Sequence, residues 1–142
     1  MNAPEILLID DDLSDIRLVV EALRIARIRH RLNVAQDGDE AIAFLRQKGR
    51  FAHAPRPDLI LLDLNLPKKY GRQVLGDIKG DANLRRIPVV ILTTSESEMN
   101  IVSSYDLYAN AYVVKPPDLQ EFIKVIEVTM TFWLGIARLS PR

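Results

Sequence analysis

The chain contains no cysteine, which excludes disulfides and thiolate metal sites and leaves any bound cation to oxygen or nitrogen ligands. It has no excess of charge of either sign, with nineteen lysines and arginines against nineteen aspartates and glutamates. A general basic field able to hold nucleic acid is therefore missing. No basic segment followed by a long apolar run precedes the first strand-like stretch, so no secretory signal is expected and the protein is expected in the cytoplasm. The most apolar helical stretch, near the C-terminus, carries Glu121, Lys124 and Glu127, which argues against a bilayer span. There is no internal repeat and no low-complexity tract. Only two histidines occur, His30 beside a strand-like run and His53 in a loop, and lone histidines in such places are solvated or packed rather than ligands. With 142 residues and 48% apolar composition, one domain with a full core is expected over 1–142, with no separate output domain.

What is present is a set of short apolar runs of strand length, at Ile6–Ile9, Leu59–Leu62, Val89–Leu92 and Tyr112–Val114, with a more alternating one at Arg31–Ala35. Helical patterns lie between and after them. Ile16, Val20 and Leu23 form one; Ala41, Ile42 and Leu45 another; Val74, Leu75 and Ile78 a third; Val102 and Tyr105 a fourth. Alternation of this kind predicts an α/β fold, a parallel sheet between helices joined by right-handed crossovers. The stretch from Lys48 to Pro57, broken by Gly49, Pro55 and Pro57, reads as a long loop without an element of its own.

The strand ends carry the chemistry. Ile6-Leu7-Leu8-Ile9 runs into Asp10-Asp11-Asp12, and Leu59-Ile60-Leu61-Leu62 runs into Asp63. Carboxylates gathered at one edge of a parallel sheet repel one another unless a divalent cation or a phosphoryl group is the purpose. Thr93 and Lys115 follow two further strands, adding a hydroxyl and an ammonium at the same edge. Sites of doubly wound sheets form there. Magnesium accepts a few hard oxygen ligands and keeps several waters, a demand that Asp10, Asp11 and Asp63 meet. Taken singly each aspartate has a plainer explanation: Asp12 or Asp15 caps the following helix, Asp11 is solvated, and Asp63 opens a turn before Pro67.

Together these residues resemble the response-regulator receiver domains of two-component signalling, from Glu5 to the helix after Pro117: the acidic pair Asp10-Asp11, Asp63 within Leu62-Asp63-Leu64-Asn65-Leu66-Pro67, then Thr93, then Lys115-Pro116. The resemblance implies a flavodoxin-like doubly wound (βα)5 fold with a five-stranded parallel sheet in the order 2-1-3-4-5. It implies that Asp63 accepts a phosphoryl group from a phosphohistidine of a sensor histidine kinase. Magnesium, or manganese in its place, is implied to be bound by Asp11, Asp63 and the main-chain carbonyl of Asn65, with Asp10 acting through water. Lys115 and Thr93 would hold phosphoryl oxygens, Tyr112 matches the switch aromatic, and Pro116 is implied to follow a cis bond. Such a protein catalyses only its own phosphorylation and dephosphorylation. Thr94, Tyr108 and the long 48–57 loop depart from the usual pattern without touching the acids.

Beyond Asp118, a cap-like residue, Leu119, Phe122, Ile126, Met130, Trp133 and Ala137 form one apolar stripe expected to face the core. Val125, Val128, Phe132, Ile136 and Leu139 fall on another face, which a monomer would leave wet. Burying four or five such side chains contributes on the order of 5–10 kcal/mol before association costs. An extended C-terminal helix, with residues from about 130 to 142 used in dimerisation, is therefore expected; the alternative is a helix that stops near Gly135. The long loop, Leu64-Asn65-Leu66-Pro67-Lys68-Lys69, Tyr108-Ala109-Asn110 and Phe132-Trp133-Leu134 are similar to the small receivers that partner phytochrome-type histidine kinases. That similarity implies a homodimer through the fifth strand, the helix around Val102 and Tyr105, the last helix and its extension. Kinase contacts are implied around the first helix and Pro116-Pro117, with no nucleic acid and no membrane as partner.

Two other readings share these residues. Ile6-Leu7-Leu8-Ile9-Asp10-Asp11-Asp12 also fits the nucleophile motif of haloacid-dehalogenase-like phosphatases, with Asp10 as nucleophile, Thr93 or Thr94 as the hydroxyl and Lys115 as the lysine. Those enzymes need an acidic pair beyond the lysine, where only isolated Asp118, Glu121 and Glu127 follow. A binding module that keeps the fold without phosphorylation is the other, against which the complete set of acids, threonine and lysine argues.

Overall fold

The computed structural model describes residues 3–64, 66, 71–93 and 109–136. Five parallel strands, β1 (Glu5–Ile9), β2 (Arg31–Ala35), β3 (Leu59–Asp63), β4 (Val89–Thr93) and β5 (Ala111–Val114), lie in the order β2-β1-β3-β4-β5. The helices are α1 (Leu13–Ala26), α2 (Gly38–Leu45), α3 (Gly71–Gly80) and α4 (Leu119–Met130). The stretch around Val102 and Tyr105, where a further helix is expected, lies outside the described residues, as do Thr94 and Tyr108.

β1, β3 and β4 are buried along their whole length, which is why they read as unbroken apolar runs rather than as alternating ones. Their side chains alternate between two cores. Leu7, Ile9, Ile60, Leu62, Val89 and Ile91 meet Ile42, Leu45, Val74 and Ile78 from α2 and α3 on one face. Ile6, Leu8, Leu59, Leu61, Val90 and Leu92 meet Val19, Leu23, Phe122 and Ile126 from α1 and α4 on the other. β5 is an edge strand and only half-buried.

Capping fixes where the helices start. Asp12 takes the N–H groups of Ser14 and Asp15, Asp37 takes that of Glu40, and Asp118 takes that of Glu121, so each satisfies donors that the first turn leaves free. The 48–57 stretch holds one short element that its breakers concealed, a 3-10 turn at Gly49–Phe51. Phe51 packs edge-on against Phe44 at 5.5 Å between ring centroids, which ties the loop to the core. His53 is exposed in this loop, and His30 is half-buried with Nδ1 2.7 Å from the Ile28 carbonyl.

At the C-terminus the structure departs from regular helical spacing. After Met130 the chain continues as a π-helical segment, Thr131–Ile136, through Gly135. Phe122, Ile126 and Met130 are buried as the first stripe predicts and Trp133 packs on the same core, but Leu119, in the opening turn, is 63% exposed. Among the described residues no helix is long and apolar enough to cross a membrane.

Candidate functional site

Register brings the strand-end residues together. Ile9 pairs with Leu62 and Asp63 with Leu92, so Asp10 and Asp63 leave adjacent strands side by side. The Lys115 N–H donates to the Thr93 carbonyl at 2.6 Å, which continues the β4–β5 ladder and carries the lysine to the same edge. Thr93 is fully buried there. The backbone N–H of Leu64 donates to the Leu92 carbonyl at 3.3 Å, so the chain leaving Asp63 still follows β4.

Carboxylate oxygens of Asp10, Asp11 and Asp63 lie within 4.8 Å of one another. Asp10 and Asp63 are buried and Asp11 is exposed, so the cluster opens to solvent on the Asp11 side. Asp10 Oδ1 accepts the backbone N–H of Asp12 at 2.9 Å, whereas Oδ2 is buried with no hydrogen-bond donor among the described residues. Lys115 Nζ stands 3.7 Å from it. Burial pushes the Asp10 carboxyl up to about 7; the Asp12 N–H and Lys115 oppose that rise, and the neighbouring charges of Asp63 and Asp15 add to it.

Lys115 is the counter-charge of this cluster. Its side chain is 7% exposed, and Nζ stands 3.0 Å from Asp63 Oδ2 and 2.6 Å from Asp15 Oδ2. Burial alone would lower the ammonium's pKa, but the contacts with Asp15, Asp63 and Asp10 more than offset it and push it up to about 12. The lysine therefore stays charged across the range in which proteins work.

Of the expected site residues, Asp10, Asp11, Asp63 and Lys115 converge, and Thr93 stands at the same edge. Tyr112 is half-buried in β5, its ring against the core shared with α2 and α3. Asn65 lies outside the described residues. The expectation of a cis bond before Pro116 is corrected: the described residues contain no cis peptide bond. Nothing local in Lys115-Pro116 requires cis, and trans is the lower-energy isomer of an X–Pro bond by about 0.5–1 kcal/mol. On the outward face of α4, Val125 is half-buried while Val128 and Phe132 are 60% and 48% exposed. Ile136 is described in its backbone alone, and Leu139 lies outside the described residues.

Two residues of the site were not legible as such. Asp15 sits in the first turn of α1, where an acidic residue is explained by the helix dipole, and only folding shows it against Lys115. Gly71 opens α3 directly beneath the exit of β3, where a Cβ would stand 2.5 Å from Leu64 Cα and 2.6 Å from the Asp63 carbonyl oxygen.

Comparison with known proteins agrees with this geometry. The sequence profile of the response regulator receiver domain matches residues 6–127. Response regulator Rcp1 of Synechocystis sp. is 48% identical over 134 residues, which cover 94% of this chain and 91% of the relative. The crystal structure of the phosphorylated cyanobacterial phytochrome response regulator RcpA superimposes with a TM-score of 0.92 at 48% identity, covering 99% of this chain and 100% of the other. The Mn2+-bound form of Rcp1 gives 0.91 at 46% identity, covering 97% and 99%.

Proposed function

The chain belongs to the response regulator receiver family, and from that premise we propose that Asp63 accepts a phosphoryl group from a phosphohistidine of a phytochrome-type sensor histidine kinase. The observation that carries this reading is the Lys115 ammonium 3.0 Å from Asp63 Oδ2 within a cluster of three strand-end carboxylates.

An Asp63 carboxylate oxygen attacks the phosphorus, and the bond from phosphorus to the imidazole nitrogen breaks with its electron pair left on the ring, which takes up a proton. The product is an acyl phosphate, later cleaved at its P–O bond by water to give inorganic phosphate and the free carboxylate. Lys115 exchanges its contact with Asp63 for a phosphoryl oxygen, and the Thr93 hydroxyl donates to another. Tyr112 follows the threonine as the reporter of the phosphorylated state. The protein thus catalyses its own phosphorylation and dephosphorylation and turns over no external ester.

The site fits a hard divalent cation, magnesium or manganese. Its clustered side chains offer carboxylate oxygens, and Asp10 Oδ2 is buried without a donor among the described residues, a cost that a water on a bound cation would relieve. Asp11, Asp63 and the main-chain carbonyl of Asn65 would be its direct ligands, with Asp10 acting through water. When bound, the cation supplies positive charge for the phosphoryl oxygens.

RcpA, named as a phytochrome response regulator, supports the kinase assignment. A cytoplasmic place, and partners that include neither nucleic acid nor membrane, suit the balanced charge. For the homodimer the support is the exposed Val128 and Phe132 beside an open groove of about 630 Å³ that Tyr112, Val114, Pro116, Lys124, Val125 and Val128 help to line. A phosphatase with Asp10 as nucleophile gains no support, because Asp10, Asp11 and Asp63 are the one metal-capable cluster among the described residues and no acidic pair beyond Lys115 joins it.

Acetyl phosphate with magnesium should add one labile phosphoryl group, seen in the intact mass and lost in Asp63→Asn. An unchanged mass in the native chain sinks the reading.

A further inference from the structure

Lys115 makes its shortest ionic contact with a carboxylate that the phosphoryl chemistry above does not use. Asp15 Oδ2 is 2.6 Å from Nζ, against 3.0 Å for Asp63 Oδ2 and 3.7 Å for Asp10 Oδ2. Asp63 and Lys115 come from strand ends, whereas Asp15 comes from the opening turn of α1, where Asp12 Oδ1 takes the N–H groups of Ser14 and Asp15 at 2.8 and 3.3 Å and holds the backbone in place. The amine is therefore gripped from two different elements.

We propose that Asp15 is a positioning residue for Lys115: it anchors the ammonium from α1, so that the amine keeps its place when its contact with Asp63 is exchanged for one with a phosphoryl oxygen. The inference rests on Asp63 being the phosphoacceptor. A lysine ammonium is a point charge on a flexible four-carbon stem, and holding it costs side-chain entropy. Asp63 cannot serve as its lasting anchor, because phosphorylation turns that charged carboxylate into the uncharged acyl half of a mixed anhydride at the step in which the ammonium must stay. Asp15 is chemically unchanged by the transfer. An ammonium has three N–H donors, so one can remain on Asp15 while the others meet the phosphoryl oxygens.

The test uses the full chain and a small donor, acetyl phosphate, so that docking of a kinase on α1 plays no part. Single-turnover phosphorylation at saturating magnesium is compared in the native chain, Asp15→Ala and Asp15→Asn, with magnesium affinity from calorimetry and the Lys115 ammonium followed by nitrogen-15 NMR. Asp15→Ala should slow phosphorylation about tenfold, as expected for loss of one charged hydrogen bond to a reacting group. Its magnesium affinity should stay within about threefold, and its Lys115 ammonium signal should broaden away through faster exchange with water. Asp15→Asn, which keeps an acceptor oxygen in place, should recover the rate to within about threefold of native, a rescue that separates anchoring from general loss of structure. Native rates and an intact ammonium signal in Asp15→Ala would overturn the anchor. So would a parallel collapse of magnesium affinity, which would make Asp15 part of the metal site instead. If the native chain itself takes no phosphoryl group, the failure lies with the proposed function; if it does and Asp15→Ala matches it, the anchor alone falls.

Discussion

Gly71 donates its backbone N–H to the Leu64 carbonyl at 3.1 Å and stands so close to that residue that no side chain fits between them. The first residue of α3 is thereby held against the backbone that leaves Asp63.

Gly71→Ala is expected to destabilise the fold, because the clash is with backbone atoms that cannot swing away. Overpacking of this kind costs about 1–3 kcal/mol. Urea unfolding should show the loss, and the mutant's magnesium affinity should fall with it as the β3 exit is displaced. Native stability in Gly71→Ala would show that α3 and the β3 exit can part freely.

Lys115→Met tests the ion cluster. Without the ammonium, Asp10, Asp63 and Asp15 keep their burial but lose their common counter-charge. Breaking such a group is expected to cost about 3–5 kcal/mol in chelator. Magnesium should restore a larger part of the stability in the mutant than it adds to the native chain, since it then becomes the main positive charge available. Equal stabilisation of both proteins by magnesium would contradict this account.

The Asp10 carboxyl gives a pH signature. Its pKa stands at about 7 in the fold against an ordinary 3.8, so between those values the folded chain holds a proton that the unfolded chain has released. This group's contribution to stability is full below about 3.8 and is lost as pH rises through about 7. In chelator the melting temperature should therefore fall from about pH 4 to about pH 7, the window between the two values, and level off above it, and Asp10→Asn should flatten the slope. Magnesium affinity should rise over the same window, because cation binding favours the deprotonated acid. A melting curve with the same slope in Asp10→Asn would remove Asp10 as the cause.

Val128→Glu and Phe132→Ser address self-association. Both side chains are exposed on the chain taken alone, so neither change should lower its intrinsic stability by more than about 0.5 kcal/mol. Sedimentation equilibrium should show a dimer for the native chain and a monomer for Val128→Glu. A native chain that is monomeric with and without beryllofluoride, which mimics the acyl phosphate, would discard the dimer.

Strand positions were legible because burial on both faces writes β1, β3 and β4 as unbroken apolar runs, while β5, a half-buried edge strand, was marked by its aromatic and β-branched residues; all four fall within a residue of those runs. Less of the C-terminus could be read. Helical spacing predicted that Phe122, Ile126 and Met130 face the core and that Phe132 does not, and Trp133 still packs on that core beyond Met130, but the switch from α- to π-helical winding at Thr131 was not written in the spacing. The short turn at Gly49–Phe51 was hidden for a related reason, since three residues carry no period.

By itself the sequence determined which groups would stand at the carboxyl edge of the sheet: Asp10, Asp11, Asp63, Thr93 and Lys115 each follow a buried run, and a parallel sheet sends all such ends the same way. Which of them meet was decided by tertiary structure. Strand register sets Asp10 beside Asp63, and the packing of α1 against α4 and the sheet delivers Asp15 to Lys115, one hundred residues away along the chain. The closeness of Gly71 to Leu64 was likewise unwritten, because a close approach of two backbones leaves no mark in either residue's own neighbours. Periodicity records what a residue is buried by, and contacts between elements depend on angles and distances that no local pattern carries.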